Sequence, residues 1–229
     1  LSRAIAAPSA KRLTMYVMRS KVKIADTGEA LTAFGTWGVG ASSRLEAAGY
    51  SVPAGPMDVA ESAQGTVVRL DAARFIVIAP ATAAAALAAQ FAQVAPEWWT
   101  LEEVRAGLPQ VSQPTQDEFV PQMANLELVG GIDFKKGCYP GQEIVARTQY
   151  LGKLKRRMYR MQADAGTPVP GQDVFGGEPQ AIGKVVSVAP RPEGGFELLA
   201  VMQSSSVEEG GPLRLGAPDG PVMRVVPLP

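Results

Sequence analysis

The 229-residue chain contains no histidine and only one cysteine, Cys138. The missing histidines exclude Ser-His-Asp and Cys-His catalysis and the HExxH metalloprotease site. A lone cysteine rules out an internal disulfide framework and fits a reducing, cytoplasmic setting. Without histidine it leaves no ligand set for a structural zinc, so no metal site is expected. One chain likewise lacks the four thiolates that an iron–sulfur cluster takes. Long apolar runs are missing too. None reaches the ~18 residues of a helical membrane span, and the longest candidate, Ala83 to Ala89, is mostly alanine. No membrane partner is expected. The chemistry left to this chain rests on one thiol, carboxylates, amines, amides and a bound small molecule.

Hydrophobic residues make up 46% and charged residues 19%, a balance that supports folded cores rather than disorder. The formal net charge is zero, but the charges are segregated. From Leu1 to Ala25 there are six bases and no acid. From Asp26 to Phe134 there are thirteen acids and four bases. From Lys135 to Arg160 there are eight bases and one acid, Glu143. That last segment surrounds the cysteine. It reads either as a solvated basic face or as a site for phosphate, a carboxylate tail or nucleic acid. It holds two aromatics, Tyr139 and Tyr150, and no nucleic-acid-binding motif, which makes weak tRNA association the lesser form of the idea.

Ser9 is a candidate cap for a short helix over Ala10 to Met15. Strands are expected at Lys21 to Ala25 and Ala30 to Trp37, and a helix at Ser42 to Ala48 stopped by Gly49. Thr66 to Leu70 and Arg74 to Ala79 read as a hairpin. An alanine-rich helix from Thr82 to Val94 and a last strand from Trp98 to Val104 complete a β-α-β-β-α-β order. That is the split pattern of ferredoxin-like domains, spanning about 30–104. Gly107 to Val120 is a loop, Pro121 to Val129 a short helix, and Gly141 to Tyr150 a helix. From Lys155 onward, short apolar runs alternate with Gly/Pro turns: Met158 to Met161, Ala181 to Val188, Phe196 to Met202, Leu213 to Leu215, Val222 to Val226. This is the texture of a small antiparallel β-barrel. The fold class is therefore α+β, with a boundary near Lys153 that separates residues 1–152 from a C-terminal barrel, 153–229.

The cysteine lies in Lys136-Gly137-Cys138-Tyr139-Pro140-Gly141-Gln142-Glu143. Two glycines permit positive φ and close backbone approach, and the proline stiffens the turn. Lys135 and Lys136 precede the thiol, and a helix starting at about Gly141 brings its free N–H groups near; both favour thiolate. A cysteine packed in a core is the plain alternative. Charged, glycine-rich, turn-forming neighbours argue against it. Glu143 and Arg147, four residues apart, are open to two readings: an i,i+4 pair or part of a pocket wall with Gln142.

Residues 131–147, GIDFKKGCYPGQEIVAR, closely resemble the signature of the YgfZ family of folate-binding proteins, related to the glycine-cleavage aminomethyltransferase. The pattern K-G-C-[YF]-x-G-Q-E-x-x-[AS]-R is met by Lys136, Gly137, Cys138, Tyr139, Gly141, Gln142, Glu143, Ala146 and Arg147. Further likenesses are Arg19-Ser20-Lys21-Val22, Ala106-Gly107-Leu108-Pro109, Phe119-Val120-Pro121-Gln122 and Asn125-Leu126, so that the resemblance covers nearly the whole chain. It implies an aminomethyltransferase-like fold in residues 1–152, with the signature loop and helix at 131–152. It implies binding of tetrahydrofolate or a folate derivative, and service to iron–sulfur client or assembly proteins, including tRNA-modifying enzymes. Cys138, with Lys136, takes the place of the family's functional thiol. Tyr139, Gln142, Glu143, Arg147, Arg105 and Asn125 are the folate-binding candidates.

Two features depart from the pattern. Arg105 stands where several relatives carry Glu before A-G-[IL]-P, and a guanidinium cannot accept a hydrogen bond from a pterin amine. The chain also begins at Leu1, while family members carry a further segment before R-S-K-V. An N-terminal part of the fold, which helps wall the folate channel, is therefore expected to be missing from this stretch. The expected function is a folate-binding accessory factor for iron–sulfur proteins. The alternatives are a folate-dependent aminomethyl transferase and an RNA- or protein-interaction module without folate.

Overall fold

The computed structural model describes residues 2–28, 30–152 and 154–229. The boundary expected near Lys153 falls on a residue outside these. The compact units divide instead between Ala95 and Pro96, with residues 10–95 in one and 96–229 in the other, together with the first few residues. Among the described residues no helix is long and apolar enough to cross a membrane.

Helix α1 (Arg3–Thr14) opens the chain. It begins well before Ser9, which lies inside it. Lys21 to Ala25 forms no strand; these residues have no regular secondary structure and are mostly exposed. Their alternation is real, but no neighbouring strand pairs with them.

In residues 10–95, strands β1 (Leu31–Trp37), β2 (Val59–Ser62), β3 (Gly65–Arg69) and β4 (Arg74–Pro80) form an antiparallel sheet of order β1-β4-β3-β2. Helix α2 (Ala41–Ala47) follows β1 and α3 (Ala81–Ala88) follows β4. The expected hairpin is present, pairing Val67 with Val77. Phe75, Val77 and Ala79 share one sheet face, where Leu45 of α2 and Leu87 of α3 pack on them. The turn between β3 and β4 is held by Asp71, whose carboxylate accepts from the backbone N–H groups of Ala73 and Arg74 and from Arg74 Nε. The split β-α-β-β-α-β order is not observed. The unit runs β-α-β-β-β-α, with β2 an additional strand.

The expected strand at Trp98 to Val104 is a helix, α4 (Pro96–Arg105). Pro96 sits at its first position, Glu97 in its first turn and Arg105 in its last, all favourable to a helix. Leu101 and Val104, three apart, are its buried apolar residues, a helical rather than a strand spacing.

Helix α5 (Gln142–Tyr150) comes next, then the barrel. Its strands are β5 (Arg156–Ala163), β6 (Asp173–Phe175), β7 (Ala181–Pro190), β8 (Phe196–Gln203), β9 (Leu213–Leu215) and β10 (Val222–Val226). They close in the order β10-β5-β8-β7-β6-β9, every pairing antiparallel. The short helix α6 (Ser204–Glu208) follows β8. The five apolar runs seen in the sequence are β5, β7, β8, β9 and β10; β6 (Asp-Val-Phe) did not stand out as a sixth.

The uninterrupted apolar run of β8 is explained by burial on both faces. Leu198, Ala200 and Met202 join the core with Met161, and Leu199 and Val201 pack outward with Val104 of α4. Gly183 of β7 is obligatory there, since a Cβ would stand 2.4 Å from the Val201 carbonyl oxygen.

Asp71 is shielded in part by burial, which opposes ionisation. Its three hydrogen bonds outweigh that and hold its carboxyl below the ordinary value of 3.8. Its contribution to stability is therefore present above that pH and lost as pH falls. We expect Asp71→Ala to lower the unfolding free energy by about 1 kcal/mol at neutral pH, because solvent reaches the carboxylate. In denaturant titrations the difference from the parent should shrink below pH 4.

Candidate functional site

Helix α5 is held against the barrel by two buried amide side chains from a 3-10 turn, Pro121–Ala124, and its cap, Asn125. Gln122 is fully buried, and its Nε2 donates to the Val145 carbonyl in α5 at 2.7 Å. Asn125 adopts the left-handed region (φ 55°), which an Asn tolerates. Its Nδ2 donates to the Met158 carbonyl of β5 at 2.8 Å, and its Oδ1 accepts from Met158 N–H and from Arg157. Arg157 also pairs with Glu127. Asn125, a candidate for folate contact, is thus occupied in joining the turn to β5 and lies away from the recess described below.

The cysteine loop enters α5 through Gly141, whose φ of 87° disfavours any side chain. The loop is tied to the helix by reciprocal bonds. Tyr139 N–H donates to Gln142 Oε1 at 3.1 Å, and Gln142 N–H donates to the Tyr139 carbonyl at 3.2 Å. Lys136 Nζ lies 4.5 Å from the centre of the Tyr139 ring, a cation–π contact. Cys138 is exposed.

Loop and helix together wall an open recess of about 390 Å³ lined by Asp133, Phe134, Lys136, Tyr139, Gln142, Glu143, Val145, Ala146 and Tyr150. Lys136, Tyr139, Gln142 and Glu143 thus line one recess. Cys138 stands between two lining residues without lining the recess itself. Glu143 and Arg147 form no ion pair among the described residues. Glu143 faces the recess and Arg147 is exposed outside its wall.

Sequence reasoning missed Phe134 and Tyr150, whose rings meet edge-on at 6.3 Å. Tyr150 was within reach of it, because 143, 146 and 150 follow the spacing of one helix face. Phe134, in a turn, gave no such signal. Among the described residues, no three of the types His, Cys, Asp and Glu gather in one place.

Arg105 is committed elsewhere. Its Nη2 donates to Glu197 Oε1 at 3.1 Å and its Nε to the same oxygen at 3.3 Å. Arg160 Nε stands 3.6 Å from Glu197 Oε2. Glu197, on β8, is 2% exposed, so that the guanidinium at the end of α4 compensates a buried carboxylate. Arg105 is better explained by Glu197 than by a ligand.

The fold and the loop define a class: an α+β protein with a closed C-terminal barrel that carries an exposed thiol beside a helix-walled recess. No family model matches the sequence. The chain is similar to the tRNA-modifying protein YgfZ of Serratia proteamaculans, 30% identical over 225 residues, which are 93% of this chain and 67% of that protein. The protein of the same name from Cronobacter sakazakii is 33% identical over 169 residues, 70% of this chain and 51% of the relative. That from Escherichia coli O45:K1 is 29% identical over 99% of this chain and 72% of its own length. The chain belongs to the YgfZ family. It spans between about half and three-quarters of the length of these relatives.

Two outcomes test this description. Arg105→Ala leaves Glu197 with Arg160 alone and should cost about 2 kcal/mol in chemical denaturation. Iodoacetamide should label Cys138 in the native protein without denaturant, and Cys138→Ser should leave the melting temperature unchanged. A thiol that reacts only after unfolding contradicts its exposure.

Proposed function

We propose that this chain is an accessory factor in tRNA modification that serves iron–sulfur proteins, with a reduced folate held in the recess beside Cys138. The observation that carries the reading is the composition of the recess. It has three aromatic side chains, a carboxylate with no partner among the described residues, an amide and an exposed thiol at its edge. The relatives' name, tRNA-modifying protein, supports the pathway.

The donor set fits a folate. A pterin is flat and stacks on Phe134, Tyr139 or Tyr150. Its amino-pyrimidinone edge presents two N–H donors, which a free carboxylate such as Glu143 accepts in parallel. Gln142 spends its oxygen on Tyr139 and keeps its amide N–H groups for a ligand carbonyl. Lys136 supplies a cation for a carboxylate tail. When bound, a reduced folate supplies amine nitrogens that carry one-carbon units. Cys138 is the thiol that the loop holds exposed. The aminomethyltransferase-like arrangement and a cytoplasmic location belong to the same proposal, since an exposed thiol persists where disulfides are kept reduced.

Calorimetry with tetrahydrofolate should give a dissociation constant of micromolar order, about 8 kcal/mol, with a matching rise in melting temperature. Glu143→Ala should weaken it about tenfold, the loss of a charge-assisted pair. Absence of heat and of thermal shift with every reduced folate tested would sink the reading. Formation of methylenetetrahydrofolate from a lipoylated carrier protein would replace it with the aminomethyl transferase alternative.

A further inference from the structure

We infer that the outer face of α5 is a docking surface for an acidic amphipathic helix of a partner protein. The inference is independent of the folate reading, since none of the residues it uses lines the recess.

Helix α5 has three sides. Val145 marks the buried one, where Gln122 ties the helix to the turn below it. At about 100° per residue, Glu143, Ala146 and Tyr150 gather on a second side, and all three line the recess. Ile144, Arg147 and Leu151 fall within an arc of about 60° on the third. The Leu151 N–H still donates to the Arg147 carbonyl, at 2.9 Å, so the helical turn carries through to it. Ile144 is 60% exposed and Leu151 86%. A surface helix ordinarily turns polar residues to the side away from its core contact. Here that side holds two large aliphatic side chains about two turns apart, and packing within the chain does not account for them. Exposed apolar groups rimmed by a charge mark a contact surface.

Arg147 selects the occupant. It lies between the two aliphatics along the axis, is exposed, and forms no ion pair among the described residues. A second copy of this chain fits poorly. Antiparallel packing of α5 on itself about a two-fold axis sets each Ile144 against a Leu151, and then brings the two Arg147 guanidiniums together near the axis. A nucleic acid would suit Arg147 but leaves both aliphatics without a use. It takes aromatic platforms instead, and Tyr150, the aromatic of α5, is on the recess side. A protein helix with two apolar side chains two turns apart and a carboxylate between them matches all three residues. The patch is small, which places the contact among transient ones. A partner held there stands on the same helix that the Cys138 loop enters through Gly141.

The test is fluorescence anisotropy on the full chain, without folate, using a labelled synthetic helix stapled in shape. The probe carries two leucines two turns apart with a glutamate midway, and a second version has lysine in place of the glutamate. The glutamate probe should bind with a dissociation constant of about 100 μM, and the lysine probe at least about tenfold more weakly. Ile144→Ser combined with Leu151→Ser should weaken the glutamate probe at least about tenfold and leave the melting temperature nearly unchanged, since both side chains are exposed. Arg147→Glu should exchange the preference, losing the glutamate probe and gaining the lysine probe. No saturable change with the glutamate probe, or equal binding of the two probes by the parent chain, overturns the inference. Sedimentation that shows a dimer which Leu151→Ser dissociates assigns the face to a second copy and overturns it too. So does binding of bulk tRNA that Arg147→Glu removes and the double serine variant keeps. Folate is absent from the assay, so each of these outcomes leaves the folate reading to its own calorimetry.

Discussion

The site depends on two buried amides. Gln122 and Asn125 sit in one short turn and face opposite ways, one toward Val145 in α5 and the other toward Met158 in β5. A nine-residue helix is marginal in water on its own. Only Val145 of α5 is buried, so its position comes from hydrogen bonding more than from apolar packing. Buried amides are costly when unpaired and therefore tolerate few alternative arrangements. Through them the closed barrel fixes the helix whose first turn carries Gln142 and Glu143.

A second constraint acts at the end of α4. Glu197 lies within a strand buried on both faces, where a lone carboxylate is unfavourable. Arg105 and Arg160 compensate it from a helix and a neighbouring strand. This explains a residue that, in sequence, looked like a departure within the ligand site. The charge at 105 answers to the barrel.

Much of this was legible in the sequence, for definite reasons. The barrel strands were visible because turns punctuate them every few residues, and the β3–β4 hairpin because two apolar runs flank Asp71. The loop and α5 were visible because glycines bracket Cys138 and a stop follows at Gly152. Trp98 to Val104 misled because bulky apolar residues favour strands locally, while Pro96, Glu97 and Arg105 favoured the helix. The β-α-β-β-α-β order failed with it, since α4 was to supply its last strand and β2 is only four residues long. Asn125 was matched by motif, yet its role is set by Met158, thirty-three residues on, a contact that local pattern does not reveal. Phe134 was missed for the same reason.

The central claim is that a reduced folate occupies the recess beside Cys138. The most direct test is the alkylation rate of Cys138 in the native protein with increasing tetrahydrofolate. The account predicts that labelling slows with folate concentration and levels off at saturation, because Lys136 and Tyr139 on either side of the thiol become covered. A rate that stays constant while calorimetry shows folate bound would place the ligand elsewhere and contradict it.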